Sequence, residues 1–339
     1  MKIPVQVPRP AVLIRQLREL SGRRRRSAIC RELALHAVGT DRLLELRRVY
    51  RKHERDLERR LEEMLRQVAG RARERLSRVA VDLGVVARWE QQARSGKTKL
   101  RKQALARLIQ LSPGMADATL LMALVDPEES IRVEAARALL RSGGRHDVET
   151  VFTFAISQPR SVRLALVEDL CLHALALCEN AMPEALGSRD PERLKAALDL
   201  VESWGKALPL PQLFPLLRHR DPEVQARAFR ALPLVAALRD FEPEILRALG
   251  GDDEAVKAAA CQAAARLRMA AALPAVARCL CDSNADLAWA AACGLAEMGP
   301  AGWKVLEAEL RSAWQPGAAA AAVRALDRLK TTHYGYARL

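Results

Sequence analysis

Apolar positions recur along this chain on two scales. Within a segment they fall at i, i+4, i+7 and i+8, the spacing of one face of an α-helix. From Ile131 that face runs through Ala135, Ala138 and Leu139; from Val224 through Ala228, Ala231, Leu232 and Val235; from Val256 through Ala260, Ala263, Ala264 and Leu267; from Leu287 through Ala291, Gly294, Leu295 and Met298. Between segments the anchor itself returns, at Leu100, Ile131, Val162, Leu194, Val224, Val256 and Leu287, in steps of 31, 31, 32, 30, 32 and 31 residues. A period this regular marks a solenoid. The small residue four places after each anchor lets neighbouring helices approach closely.

Asp126-Pro127-Glu128, Asp190-Pro191-Glu192 and Asp221-Pro222-Glu223 punctuate three helix starts alike. The aspartate accepts a free backbone N–H, proline occupies the first position without orphaning a donor, and glutamate suits the helix dipole. Asp252 and Asp282 are expected to cap without the proline. Shorter apolar segments precede the caps, at residues 118–125, 147–157, 179–187, 208–218, 240–249 and 270–280. Gly143-Gly144, Gly205 and Gly299 end second helices. No stretch alternates as a strand would. The predicted unit is helix, short turn, helix; one hairpin cannot bury its apolar face alone, so each copy covers the next. An eighth, worn copy spans 300–330. The fold class expected is an all-α superhelix.

The unit resembles the short HEAT repeats of bacterial proteins, of the kind also found in phycobilin lyases. Their pattern is a proline in the first helix, an Asp-x-x-x-Val-Arg turn, then an alanine pair and leucine, clearest here at Asp126–Leu139. The basic residue after the anchor is present as Arg101, Arg132, Arg163, Lys195 and Lys257, and replaced by Gln225 and Ala288. The resemblance implies that it meets an aspartate of the same or a neighbouring repeat. Asp126, Asp190, Asp221, Asp252 and Asp282 are the candidates for such a repeat-to-repeat ladder. It covers about residues 85–330 and speaks to fold rather than function.

Charge separates the ends. Of 339 residues with formal net charge +14, residues 1–112 hold 29 Lys/Arg against 12 Asp/Glu, a net of +17, and the remainder holds 26 against 29. This divides the chain into a basic, amphipathic segment 1–22 with Val12, Leu13, Leu17 and Leu20, divergent basic helical pairs over 23–84, the repeats over 85–331 and a tail 332–339. The basic third is expected to contact something acidic through Arg23, Arg24, Arg25, Arg26, Arg47, Arg48, Arg51 and Lys52. Apolar faces are read at Leu57, Leu61, Met64, Leu65 and Val68, and at Leu76, Val79, Ala80 and Leu83; Asp41 is read as capping a helix through Tyr50. A long coiled coil is the rival, and RKHERD (51–56) interrupts its seam.

Catalytic chemistry is sparse. Cys171 and Cys178 are about 10.5 Å apart along a helix, too far for one zinc, and the seven cysteines read as small hydrophobes. A di-iron oxygenase on HEAT repeats needs paired His-Glu motifs, and only His53-Glu54 occurs. No nucleophile elbow, phosphate loop or dinucleotide fingerprint is found. Trp89, Trp204, Trp289, Trp303 and Trp314 raise a base-excision reading, but the C-terminal repeats carrying Trp289 and Trp303 are net acidic. The expectation is a non-catalytic scaffold without cofactor that binds a protein. A nucleic-acid binder and a tetrapyrrole-handling protein of the lyase kind are the alternatives. An anionic lipid surface is a further possible contact, and nucleic acid the less favoured one. The expected location is the cytoplasm or the inner face of its membrane, since no run of 18 apolar residues occurs.

Overall fold

The computed structural model describes residues 24–142, 144–235 and 241–312, with 320, 321, 323–325 and 327. Arg23, residues 1–22 and the tail 332–339 lie outside the described residues. Arg24, Arg25 and Arg26 fall in the first helix, but their side chains are not among those described.

The chain forms two compact units, Met1–Val151 and Phe152–Leu339. The first contains α1 (Arg24–Ala37), α2 (Leu43–Gln67), α3 (Gly70–Asp82), α4 (Val85–Ala93), α5 (Thr98–Leu108), α6 (Asp117–Ala123) and α7 (Glu129–Ser142). Helix α8 (Arg145–Ser157) carries the boundary. The second unit continues with α9 (Arg160–Cys171), α10 (Ala174–Glu179), α11 (Ala181–Leu186), α12 (Pro191–Trp204), α13 (Leu213–Leu216), α14 (Pro222–Ala231), α15 (Glu242–Leu249), α16 (Glu254–Arg266), α17 (Leu273–Leu280), α18 (Ala285–Glu297) and α19 (Pro300–Ser312). No strand occurs among the described residues; Leu208 and Val235 form an isolated bridge.

Second helices lie side by side within each unit: α5 on α7 in the first, and α9, α12, α14, α16 and α18 successively in the second. Ile131, Val162, Leu194, Val224, Val256 and Leu287 are buried between them, as are Ala135, Ala228, Ala260 and Ala291 four residues on. Close approach is explicit at Gly294, where an added Cβ would lie 3.2 Å from the Cys261 carbonyl oxygen and 3.6 Å from the Ala265 Cβ. Helix α19 comes nearer still to α18. A Cβ at Gly302 would stand 2.7 Å from the Leu295 carbonyl carbon and overlap its oxygen.

Several local expectations are corrected. Leu100 is 37 % exposed, and α5 buries Ala104, Leu105 and Leu108 instead. Asp252 does not cap α16: the helix begins one residue later, so Asp253 becomes the N-cap and accepts from the Val256 N–H at 2.9 Å. Asp282 likewise stands ahead of the cap of α18, which is Asn284, bonded to the Asp286 and Leu287 N–H groups. Asp190 and Asp221 do cap α12 and α14, each with proline behind it. Segment 179–187 breaks at Asn180 between α10 and α11, and 208–218 yields only the single turn α13. The helix expected to end at Tyr50 runs on as α2 to Gln67, with a backbone break at His53 (φ −140°, ψ 45°) inside RKHERD.

Candidate interaction surface

Helix α2 has two halves of different character. After His53, Leu57, Leu61, Met64 and Leu65 are buried, and three of the four arginines are matched by carboxylates of the same helix, while Arg55 is exposed without a pair among the described residues. Arg59 pairs with Asp56, Arg60 with Glu63 and Arg66 with Glu62. Before His53 only Leu46 is fully buried. Arg47, Arg48, Arg51 and Lys52 are all exposed, and among the described residues none of them has an ion pair or hydrogen bond. Counted from Leu44, which is 68 % exposed, they fall at +3, +4, +7 and +8, the spacing of one helical face. The structure therefore gathers four of the eight sequence-predicted contact residues into one unpaired stripe.

The break beneath the stripe is clasped from α4. The Arg88 guanidinium reaches Tyr50 before the break and Glu54 and Glu58 after it, and stacks over the Tyr50 ring at 5.6 Å. Trp89, 1 % exposed, donates its indole N–H to Glu58 at 3.1 Å. Arg107 lies over the same indole and pairs with Glu62 at 3.2 Å. Burial raises the Glu58 carboxyl above its ordinary pKa, against the opposing pull of the Trp89 bond and Arg107. No sequence signal pointed to this clasp: Arg88 lies 38 residues from Tyr50.

The residues read as a ladder are distributed as follows. Arg101 grips Asp126 with two bonds of 2.7 and 2.9 Å, and also bonds the Ser95 and Gly96 carbonyl oxygens. Lys195 reaches Asp221 at 3.2 Å, Glu223 at 2.8 Å and Glu192 at 3.1 Å, which holds its ammonium above the usual lysine pKa, Glu223 contributing most. Lys257 meets Asp282 at 3.5 Å. Each of these joins a second helix to the turn opening the next. Arg132 instead donates to the backbone oxygens of Asp126 and Pro127, because the position answering Asp126 in the next repeat is Ser157. Arg163 turns from Asp190 to Asp199 at 2.9 Å, a residue that also receives Arg227. Asp252 and Asp190 have no ion pair among the described residues.

Other candidate chemistry is sparse, and the one thiol pair brought together among the described residues is Cys261 with Cys279. The seven cysteines are free thiols, with Cys30, Cys178, Cys261 and Cys279 buried. Among the described residues no three His, Cys, Asp or Glu side chains are grouped to hold a metal, and no helix is long and apolar enough to cross a membrane. Trp204 is buried, Trp303 bonds the Ala296 carbonyl oxygen at 2.8 Å and Trp289 lies beneath Arg324. A cleft of about 600 Å³ in the second unit is lined by Arg163, Arg193, Asp190 and Glu192 among others, so its wall carries both signs.

No family model matches the chain, and no curated protein does. Among solved structures it is similar to the karyopherin Kap121p bound to the SUMO protease Ulp1p, with TM-score 0.57 and 13 % identity over 91 % of this chain. The chain spans 39 % of the length of that karyopherin. Human deoxyhypusine hydroxylase in complex with glycerol aligns over 73 % of this chain and 96 % of its own, at 18 % identity and a TM-score of 0.30. The likeness to Kap121p, at 13 % identity, is one of fold: the chain is an all-α solenoid of helical hairpins.

Proposed function

We propose that this protein is a non-catalytic helical-repeat scaffold that binds another protein, and that its basic N-terminal third contacts an acidic face of that partner. One observation carries the reading: among the described residues the first half of α2 leaves Arg47, Arg48, Arg51 and Lys52 exposed and unpaired, while the second half of the same helix pairs Arg59, Arg60 and Arg66 and leaves only Arg55 without a partner. Exposed like charges repel one another, and a face of four raises the potential that steers an oppositely charged partner. The Kap121p structure, in which a protein of like fold is bound to Ulp1p, supports a protein as the partner. The resemblance to short bacterial HEAT proteins belongs to the same reading.

The Arg101–Asp126, Lys195–Asp221 and Lys257–Asp282 pairs serve, on this reading, to hold repeat to repeat rather than to meet a ligand. Their period is that of the fold, and each cation already has its carboxylate.

The test is quantitative capture from the native source with the full chain and with an R47Q/R48Q/R51Q/K52Q variant. Specific recovery of one protein by the wild type, falling at least tenfold for the variant, is expected. Equal recovery by both would remove the stripe from the account.

A further inference from the structure

We infer that the partner presents an acidic α-helix to the stripe, laid along the first half of α2. This rests on the scaffold reading above and names the chemistry that fits the same surface. The cations follow helical spacing over Leu44–Lys52, about 12 Å at 1.5 Å per residue. A second helix alongside repeats at that rise and pitch, so carboxylates spaced three and four residues apart meet the cations in register. Arginine's planar fork donates two parallel hydrogen bonds to a carboxylate, and three of the four cations are arginines.

Leu44 supplies the second element. It stands at the head of the stripe, 68 % exposed. An apolar side chain there matches a leucine or methionine on a partner helix; a phosphate backbone offers no counterpart. The third element is what surrounds the stripe. Single-stranded nucleic acid is held on exposed aromatic faces. Here Tyr50 is covered by Arg88 and Trp89 is buried against Glu58, so the nearby rings are already occupied. Charge, register and the apolar end together describe an amphipathic acidic helix.

The experiment uses the full chain and four fluorescent probes at about 100 mM salt, where the Debye length is about 10 Å. The first is a helical peptide with glutamates at i, i+3, i+4 and i+7 on one face and a leucine at one end. The second is its scramble of equal composition. The third is a 16-base-pair DNA duplex, and the fourth vesicles with 30 % anionic lipid. Four matched exposed pairs are expected to make the patterned peptide about tenfold tighter than its scramble. The quadruple glutamine variant should remove that difference, and L44S should weaken the patterned peptide about tenfold with the scramble unchanged. Equal affinity for the two peptides overturns the inference, as does tighter binding to duplex or vesicles. Should capture of the native partner depend on the stripe while the peptides tie, only this inference fails. Should capture ignore the stripe, the scaffold reading of it fails as well.

Discussion

Replacing glycine by alanine inside a helix ordinarily stabilises it by about 1 kcal/mol, because glycine loses more backbone freedom. Gly294 and Gly302 carry that same intrinsic gain into different surroundings. At Gly294, in α18, the new methyl would stand 3.2 Å from the Cys261 carbonyl oxygen of α16, so a shift of a few tenths of an ångström accommodates it. At Gly302, in α19, it would stand 2.7 Å from the Leu295 carbonyl carbon and 3.1 Å from the Leu295 Cα. Those atoms belong to the backbone of α18 and move only if the two helices separate. Overpacking of this kind costs about 1–3 kcal/mol. Because the propensity gain is common to both, G302A should be less stable than G294A by about 1–3 kcal/mol. Urea unfolding followed by circular dichroism at 222 nm measures the difference, provided the slope with denaturant is unchanged. Equal midpoints, or a more stable G302A, would mean that α18 and α19 do not pack as closely as described.

Three further outcomes are expected. D253A should cost about 1 kcal/mol through loss of the α16 cap, whereas D252A should fall within about 0.5 kcal/mol of wild type; the reverse order would restore the cap to Asp252. R88Q should release the break at His53, seen as faster amide exchange over residues 50–56 with far-ultraviolet dichroism retained; unchanged exchange would show that Arg88 does not hold it. Acid should unfold the second unit in part through Glu223, whose carboxyl is held below its ordinary pKa by Lys195 and then Arg227. A lowered carboxyl gives stability that is full above its unfolded pKa of about 4.3 and is lost as pH falls through the folded value. The K195M variant should therefore lose less stability than wild type between neutral pH and about pH 3, and an identical acid dependence would exclude this pair as a contributor.

The period of the hydrophobic anchors was legible because stacking buries six of the seven, from Ile131 to Leu287, and only Leu100 escapes it. Pro191 and Pro222 likewise made the caps at Asp190 and Asp221 readable, but the same marker misleads at Asp126-Pro127, where α7 starts only at Glu129. Where that marker is missing, adjacent acids look alike: Asp252 and Asp253 differ only in which one the helix start leaves outside. The turn of Arg163 toward Asp199 was equally hidden, because it depends on which side of α12 faces α9. The stripe was half legible. Its residue types and spacing stand in the sequence, but the contrast with Arg59, Arg60 and Arg66 appears only once each partner is placed. The clasp by Arg88 depends on α4 packing beside α3, from where the Arg88 and Trp89 side chains reach α2, and a linear reading has no access to it.

The most direct test of the account is hydrogen exchange of the full chain with and without its captured native partner. Partner-dependent protection concentrated on residues 43–52, and lost in the R47Q/R48Q/R51Q/K52Q variant, is the predicted result. Protection confined to other helices, with 43–52 unchanged by the partner, would contradict it.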